Sequence, residues 1–171
     1  MRMQRLVSLV VGTVLILGAS IASAQQPAPA AAPPPPPPYG PPITLEQAKK
    51  VMAGAEAEAN KNKWNVVISI LDSGGNAVMV HRMDGAQFGS LEVAREKGYS
   101  AVAFRRPTKV FADLVEQGGG NLRLLRLSGA SVLEGGIPIV VDGKLIGAVG
   151  VSGVTSQQDA QIGRAGIEAL K

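Results

Sequence analysis

The chain has no cysteine, and His81 is the only histidine among its 171 residues. Without thiols there is no disulfide framework and no thiolate to hold a metal. One imidazole is too few for a histidine-based zinc site. A Ser-His-Asp triad would have to use His81, and no G-x-S-x-G elbow accompanies it. No pair of acidic residues stands at a spacing that marks acid–base catalysis. The sequence thus shows no evident catalytic apparatus and leaves enzymatic activity open.

Charge is also modest. The formal net charge is +4, and part of it belongs to the first residues. Arg2 and Arg5 precede an apolar run from Leu6 to Ala22, and Ala22-Ser23-Ala24 has the small-x-small form of a signal peptidase site. These features predict a signal peptide over residues 1–24, cut before Gln25, and a protein that works in the periplasm or is secreted. The run is short for a membrane span and is interrupted by Gly12 and Gly18, so no stable membrane insertion is expected after cleavage. Removal of Arg2 and Arg5 lowers the formal charge to +2, too little for the dense basic patch that nucleic-acid binding needs.

Residues 25–42 read as a proline-rich linker. Pro33–Pro38 is an unbroken proline run that favours an extended polyproline II rod. It serves as a spacer or as a docking segment for a periplasmic protein partner.

The domain is expected over residues 43–171. Thr44-Leu45-Glu46-Gln47 has the form of a capping box, and Leu45, Ala48, Val51, Met52, Ala55 and Ala59 recur at helical spacing through residue 61. Trp64–Leu71 and Ala77–Met83 read as strands of a hairpin joined by Asp72-Ser73-Gly74-Gly75-Asn76. Ser90 is placed as the cap of a second helix and Thr108 as the cap of a third, from Lys109 to Gln117. Residues 121–130 carry no clear pattern, and Ser131–Leu133 is expected to be a short strand. Asp142-Gly143 between Ile137–Val141 and Lys144–Val151 is a strong hairpin signal. Thr155 or Ser156 caps a final helix to Leu170. Two hairpins and several helices imply an α+β fold on a mainly antiparallel sheet.

Chemistry concentrates in residues 78–108. Strand alternation places Met79, His81 and Met83 on one face, and Val78, Val80 and Arg82 on the other. An imidazole flanked by two thioethers suits a haem iron or a soft metal. The same residues serve equally as core filler beside a surface histidine. Arg82 and Asp84 form either a local ion pair or the rim of an anion site. Arg105-Arg106-Pro107-Thr108 joins two helices, where guanidinium groups and helix N–H groups suit a carboxylate; a solvated basic turn is the alternative. Arg123 and Arg126 form a second basic pair. Gly147, Gly150 and Gly153 fit neither a dinucleotide loop nor a P-loop and point to close packing or a bulge.

An ordered set of motifs carries a family resemblance. They are Leu71-Asp72-Ser73-Gly74-Gly75-Asn76, Arg82-Met83-Asp84-Gly85-Ala86, Ala94-Arg95-x-Lys97, Phe104-x-Arg106-Pro107-Thr108, Gly135-Gly136-Ile137-Pro138-Ile139, Gly147–Gly153, and Gln158-Asp159 leading to Ala165-Gly166. Together they resemble the GlcG/HbpS-like family, which is similar to the C-terminal domain of PduO-type proteins. The resemblance implies a profilin-like domain with a central antiparallel sheet of about five strands, helices on both sides, and assembly into homo-oligomers. It also implies haem as cofactor, with roles in haem sequestration, storage or redox sensing. Some relatives lie near glycolate use or corrinoid metabolism, so an accessory protein or enzyme that binds a small hydroxyacid or other anionic carboxylate ligand is the alternative. Arg82–Ala86 and Arg106-Pro107-Thr108 carry over as pocket residues. His81 as iron ligand, with Met79 or Met83 as a second ligand and Thr108 as an alternative, follows from ligand chemistry rather than from the resemblance. Arg82 and Arg106 would meet the propionates.

Overall fold

The computed structural model describes residues 34–171. The expected signal peptide and the first half of the proline-rich linker, residues 25–33, lie outside the described residues.

The order of elements is α1 (Leu45–Asn62), β1 (Val67–Asp72), β2 (Ala77–Arg82), α2 (Ser90–Ala103), α3 (Lys109–Glu116), a 3-10 helix (Gly119–Arg126), β3 (Gly136–Val141), β4 (Lys144–Ser152) and α4 (Ser156–Glu168). Thr44 and Gln47 form the expected capping box: the Gln47 N–H donates to Thr44 Oγ1 at 3.2 Å, and the Thr44 N–H donates to Gln47 Oε1 at 3.0 Å. Thr155 and Gln158 repeat this arrangement at α4. Each box satisfies helix N–H groups that would otherwise lack a partner.

The two expected hairpins form one antiparallel sheet in the order β2-β1-β4-β3. Asp142 and Gly143, at φ 49° and 74°, make the turn between β3 and β4. The sheet has four strands among the described residues, not about five, because Ser131–Leu133 is not a strand. The Ser131 N–H donates instead to the Ser100 hydroxyl at 3.0 Å, so α2 claims a backbone donor that a sheet ladder would need.

β1 shows why the sheet lies in the middle of the domain. Ile68 and Ile70 join one large apolar cluster with Val51, Met52 and Ala55 of α1 and Ile162 of α4. On the opposite face Val67 packs with Ala94, and Leu71 with Ala101 and Val102 of α2. Alternation therefore feeds two helical layers, α1/α4 and α2. Gly150 of β4 sets the depth of the α2 layer. A Cβ there would overlap the Ala94 carbonyl oxygen and the Gly98 backbone. This is the close packing that the strand glycines suggested.

Sheet contacts begin upstream of Ile43. The Leu145 N–H donates to Pro38 O at 2.9 Å, and the Gly40 N–H donates to Leu145 O at 2.8 Å. Leu145 lies beyond the β1 ladder, which ends with Asp72 opposite Gly147. The segment thus occupies the position next to β4 that β1 has vacated. The Tyr39 hydroxyl is 3.0 Å from Val102 O, and the Arg105 guanidinium stacks 5.4 Å from the Tyr39 ring centroid. Among the described residues no helix is long and apolar enough to cross a membrane.

Candidate functional site

The β2 face that carries His81 looks toward α1, as alternation requires. Met79 and Met83 pack partly buried against the large apolar cluster, whereas the His81 side chain is 45% exposed. Val78 also packs against that cluster, because the register shift opposite Ile70/Leu71 turns it inward. His81 Nδ1 is 2.6 Å from the Glu56 carboxylate of α1. With Glu56 ionised, this contact requires the Nδ1–H tautomer and leaves the Nε2 lone pair free. A carboxylate that fixes an imidazole in this way orients it as a metal ligand and raises its basicity.

Glu56 is the site residue that sequence reasoning missed. It is 25 positions from His81, and no local pattern joins a polar position of a helix to one on a later strand. Among the described residues there is no group of three or more histidine, cysteine or acidic side chains able to hold an ion. The donor set at this edge is therefore one oriented imidazole with two thioethers set deeper. That set fits a haem iron held through a single side chain.

The other expected residues lie elsewhere. Arg82 points to the opposite face of β2, where its guanidinium stacks 5.0 Å from the centroid of Phe88, a ring 82% exposed. Arg106 follows α2; its Nε donates to Phe104 O at 3.1 Å, and the group stacks over Phe111. Thr108 is 0% exposed. Its hydroxyl accepts the Gly136 N–H at 3.0 Å and donates to Gly136 O at 3.4 Å, so it locks the start of α3 to β3. It does not cap α3 as expected, and Ser90 does not cap α2. Ser90 turns inward to Ser152, whose hydroxyl lies 3.2 Å away.

His81 is thus on the β2 edge, and Thr108 is fastened to the β3 edge. Three inter-strand steps separate these edges, roughly 14 Å. Within one chain the structure groups His81 with Met79 and Met83, and brings Arg106 beside Thr108, but does not join the two groups. Arg105, next to Arg106, is engaged with the N-terminal segment: its Nη1 donates to Pro37 O at 3.4 Å.

Comparison with known proteins matches this architecture. The family model described as haem degrading protein HbpS-like matches residues 43–168. GlcG of Escherichia coli is 38% identical over 110 residues, covering 64% of this chain and 81% of GlcG. An uncharacterized 15.0 kDa protein of Citrobacter freundii, from the dhaT-dhaS intergenic region, is 37% identical over 130 residues, covering 75% of this chain and 92% of that protein. Among solved structures, HbpS superposes with a TM-score of 0.70 at 31% identity, covering 78% of this chain and 93% of HbpS. The complex of PduOC with haem gives a TM-score of 0.68 at 29% identity, covering 75% and 94%. With the family model spanning nearly all of the folded region and the relatives matching in sequence and in fold, the chain belongs to the HbpS-like family.

Proposed function

We propose that this protein is an exported haem-binding protein that sequesters or stores haem or senses redox state, and that His81 Nε2 is its iron ligand. Two lines of support converge. The chain is a member of the HbpS-like family, and a structurally similar protein, PduOC, has been solved as a haem complex. The carrying observation is the 2.6 Å contact from His81 Nδ1 to Glu56, which leaves the other ring nitrogen free on a side chain that is 45% exposed. Bound iron would supply the redox chemistry. The chain supplies a ligand of fixed tautomer and the Met79 and Met83 thioethers behind it; Arg82, on the opposite face of the same strand, reaches a propionate only around the open β2 edge. Arg106, at the other sheet edge, meets the second anionic group only if a second copy or a different pose brings it near. Val80, Phe88 and Leu91 are exposed on the Arg82 face of the β2 edge, and homo-oligomer formation there would bury them.

Hemin titration of the purified protein, followed by the Soret band, tests the ligand assignment. His81→Ala is expected to shift the Soret maximum and weaken binding. Identical spectra and affinities for His81→Ala and wild type overturn the assignment. Export is tested separately: N-terminal sequencing of protein from the periplasm is expected to begin at Gln25.

A further inference from the structure

We propose a second binding site, separate from His81, for a small organic cation in the cleft between α2 and the loop that follows the 3-10 helix. The cleft holds about 340 Å³ and is lined by Arg95, Glu96, Tyr99, Gly129, Ala130 and Ser131. That volume lies within the range of small-molecule sites.

Two segments distant in sequence close on Tyr99 of α2. A Cβ at Gly75, in the β1–β2 turn, would stand 3.0 Å from ring atom Cδ2; one at Gly129 would stand 3.0 Å from Cε1. The two backbones therefore close on opposite edges of the ring, and both glycines have positive φ, 83° and 77°. A side chain at either position would be strained and would crowd the ring. Tyr99 is nevertheless 41% exposed, so its remaining surface faces the cleft. The opposite wall is also fixed, because the Ser131 N–H is held by the hydroxyl of Ser100, a fully buried residue of α2. The site is a rigid aromatic platform under a pinned loop.

Charge selects the ligand. Arg95 is already engaged: its Nε and Nη2 both lie 3.0 Å from Glu92 Oε2. Glu96 takes part in no ion pair or hydrogen bond among the described residues, and neither does the Tyr99 hydroxyl. Glu92, Arg95 and Glu96 together leave a net negative charge on this face of α2. An unclaimed carboxylate beside an exposed aromatic ring attracts an ammonium group through both Coulomb and cation–π terms. Ligands of this chemistry are primary amines, which favour the carboxylate, and quaternary ammonium compounds, which favour the ring.

The test is calorimetric titration at low ionic strength with choline chloride and with putrescine, and with sodium acetate as the anion control. Saturable binding of choline or putrescine is expected, with none of acetate. Tyr99→Leu should weaken choline binding about tenfold, and Tyr99→Phe should retain it. Glu96→Gln should weaken putrescine several-fold and flatten its salt dependence. Saturating hemin should leave both titrations unchanged. All three substitutions are at exposed positions, and melting temperatures measured alongside should match wild type. Cation binding unchanged by both Tyr99→Leu and Glu96→Gln, or saturable acetate binding without cation binding, overturns the proposal.

Discussion

Lys97 Nζ of α2 lies 2.7 Å from Asp159 Oδ2 of α4, with both side chains 2% exposed. The same ammonium donates to Val151 O at 3.0 Å, and the second Asp159 oxygen accepts the Val154 N–H at 3.2 Å. The pair ties together helices on opposite faces of the sheet, at the C-terminal end of β4. Burial is the decisive term. Removing one partner leaves the other charge uncompensated, and a loss of about 3–5 kcal/mol is expected for Lys97→Met or Asp159→Leu. The double variant Lys97→Met/Asp159→Leu should recover much of that loss, since an apolar pair needs no desolvation. Urea denaturation of all four proteins checks this; additive losses in the double variant would show that the two residues do not act as a pair.

Asp159 also gives stability a pH dependence. Burial raises its carboxyl above the usual carboxylate range, against the lowering pull of Lys97 and of the Val154 and Gly153 N–H groups. In the unfolded chain the group titrates near ~3.9. Above that value the folded state still holds the proton while the unfolded state has lost it, so stability falls as pH rises. The decline should begin near pH ~4 and level off above the raised folded value. Relative to Asp159→Asn, wild type should therefore lose stability with rising pH through this window. Unfolding curves across a pH series check the sign; a rise instead would mean that Lys97 outweighs burial.

Gly150 gives a sharper test of packing. Because a Cβ would overlap the Ala94 carbonyl oxygen and the Gly98 backbone, Gly150→Ala must push α2 away from β4. Overpacking of this kind costs about 1–3 kcal/mol, and more where backbone must move. Gly143→Ala has open space around its Cβ and should lose only the smaller penalty of positive φ. Comparison of the two melting temperatures separates steric from conformational cost.

The elements most legible in the sequence were those with local chemistry. The capping boxes at Thr44 and Thr155, the Asp142-Gly143 turn and the alternation of β1 each depend on residues a few positions apart. The 3-10 helix from Gly119 to Arg126 was not legible, because none of its residues is buried and apolar periodicity has nothing to report. Thr108 misled for a related reason. Its position before a helix suits a cap, yet a tertiary partner, Gly136, takes the hydroxyl. The Met79-His81-Met83 face was predicted from alternation, but Glu56 became visible only once α1 lay against β2.

Glu56 should matter to haem binding without touching haem. If it fixes the tautomer of His81, Glu56→Gln is expected to reduce hemin affinity about tenfold and to shift the reduction potential upward, because a neutral amide donates less electron density through the ring. Glu56→Asp should recover part of both effects. A potential unchanged in Glu56→Gln would reduce the contact to a surface hydrogen bond. His81→Ala and Glu56→Gln combined should weaken binding no further than His81→Ala alone.

Arg105 joins local strain to a distant contact, and the two can be separated. It has φ 52°, a left-handed conformation that costs a non-glycine residue roughly 1–2 kcal/mol. It also holds the N-terminal segment through the Tyr39 ring and Pro37 O. Arg105→Gly removes the strain and the hold together. The melting temperature should stay level or rise, while the segment around Tyr39 loosens. Chymotrypsin cleavage after Tyr39 reports the loosening, since Gly40 rather than proline follows it. Tyr39→Phe deletes the hydroxyl contacts to Val102 O and Ala103 O, 3.0 and 3.2 Å, and keeps the ring and the cleavage site. It should accelerate cleavage less than Arg105→Gly does. Equal cleavage rates in wild type and Arg105→Gly would show that pairing with Leu145 holds the segment without help from the guanidinium.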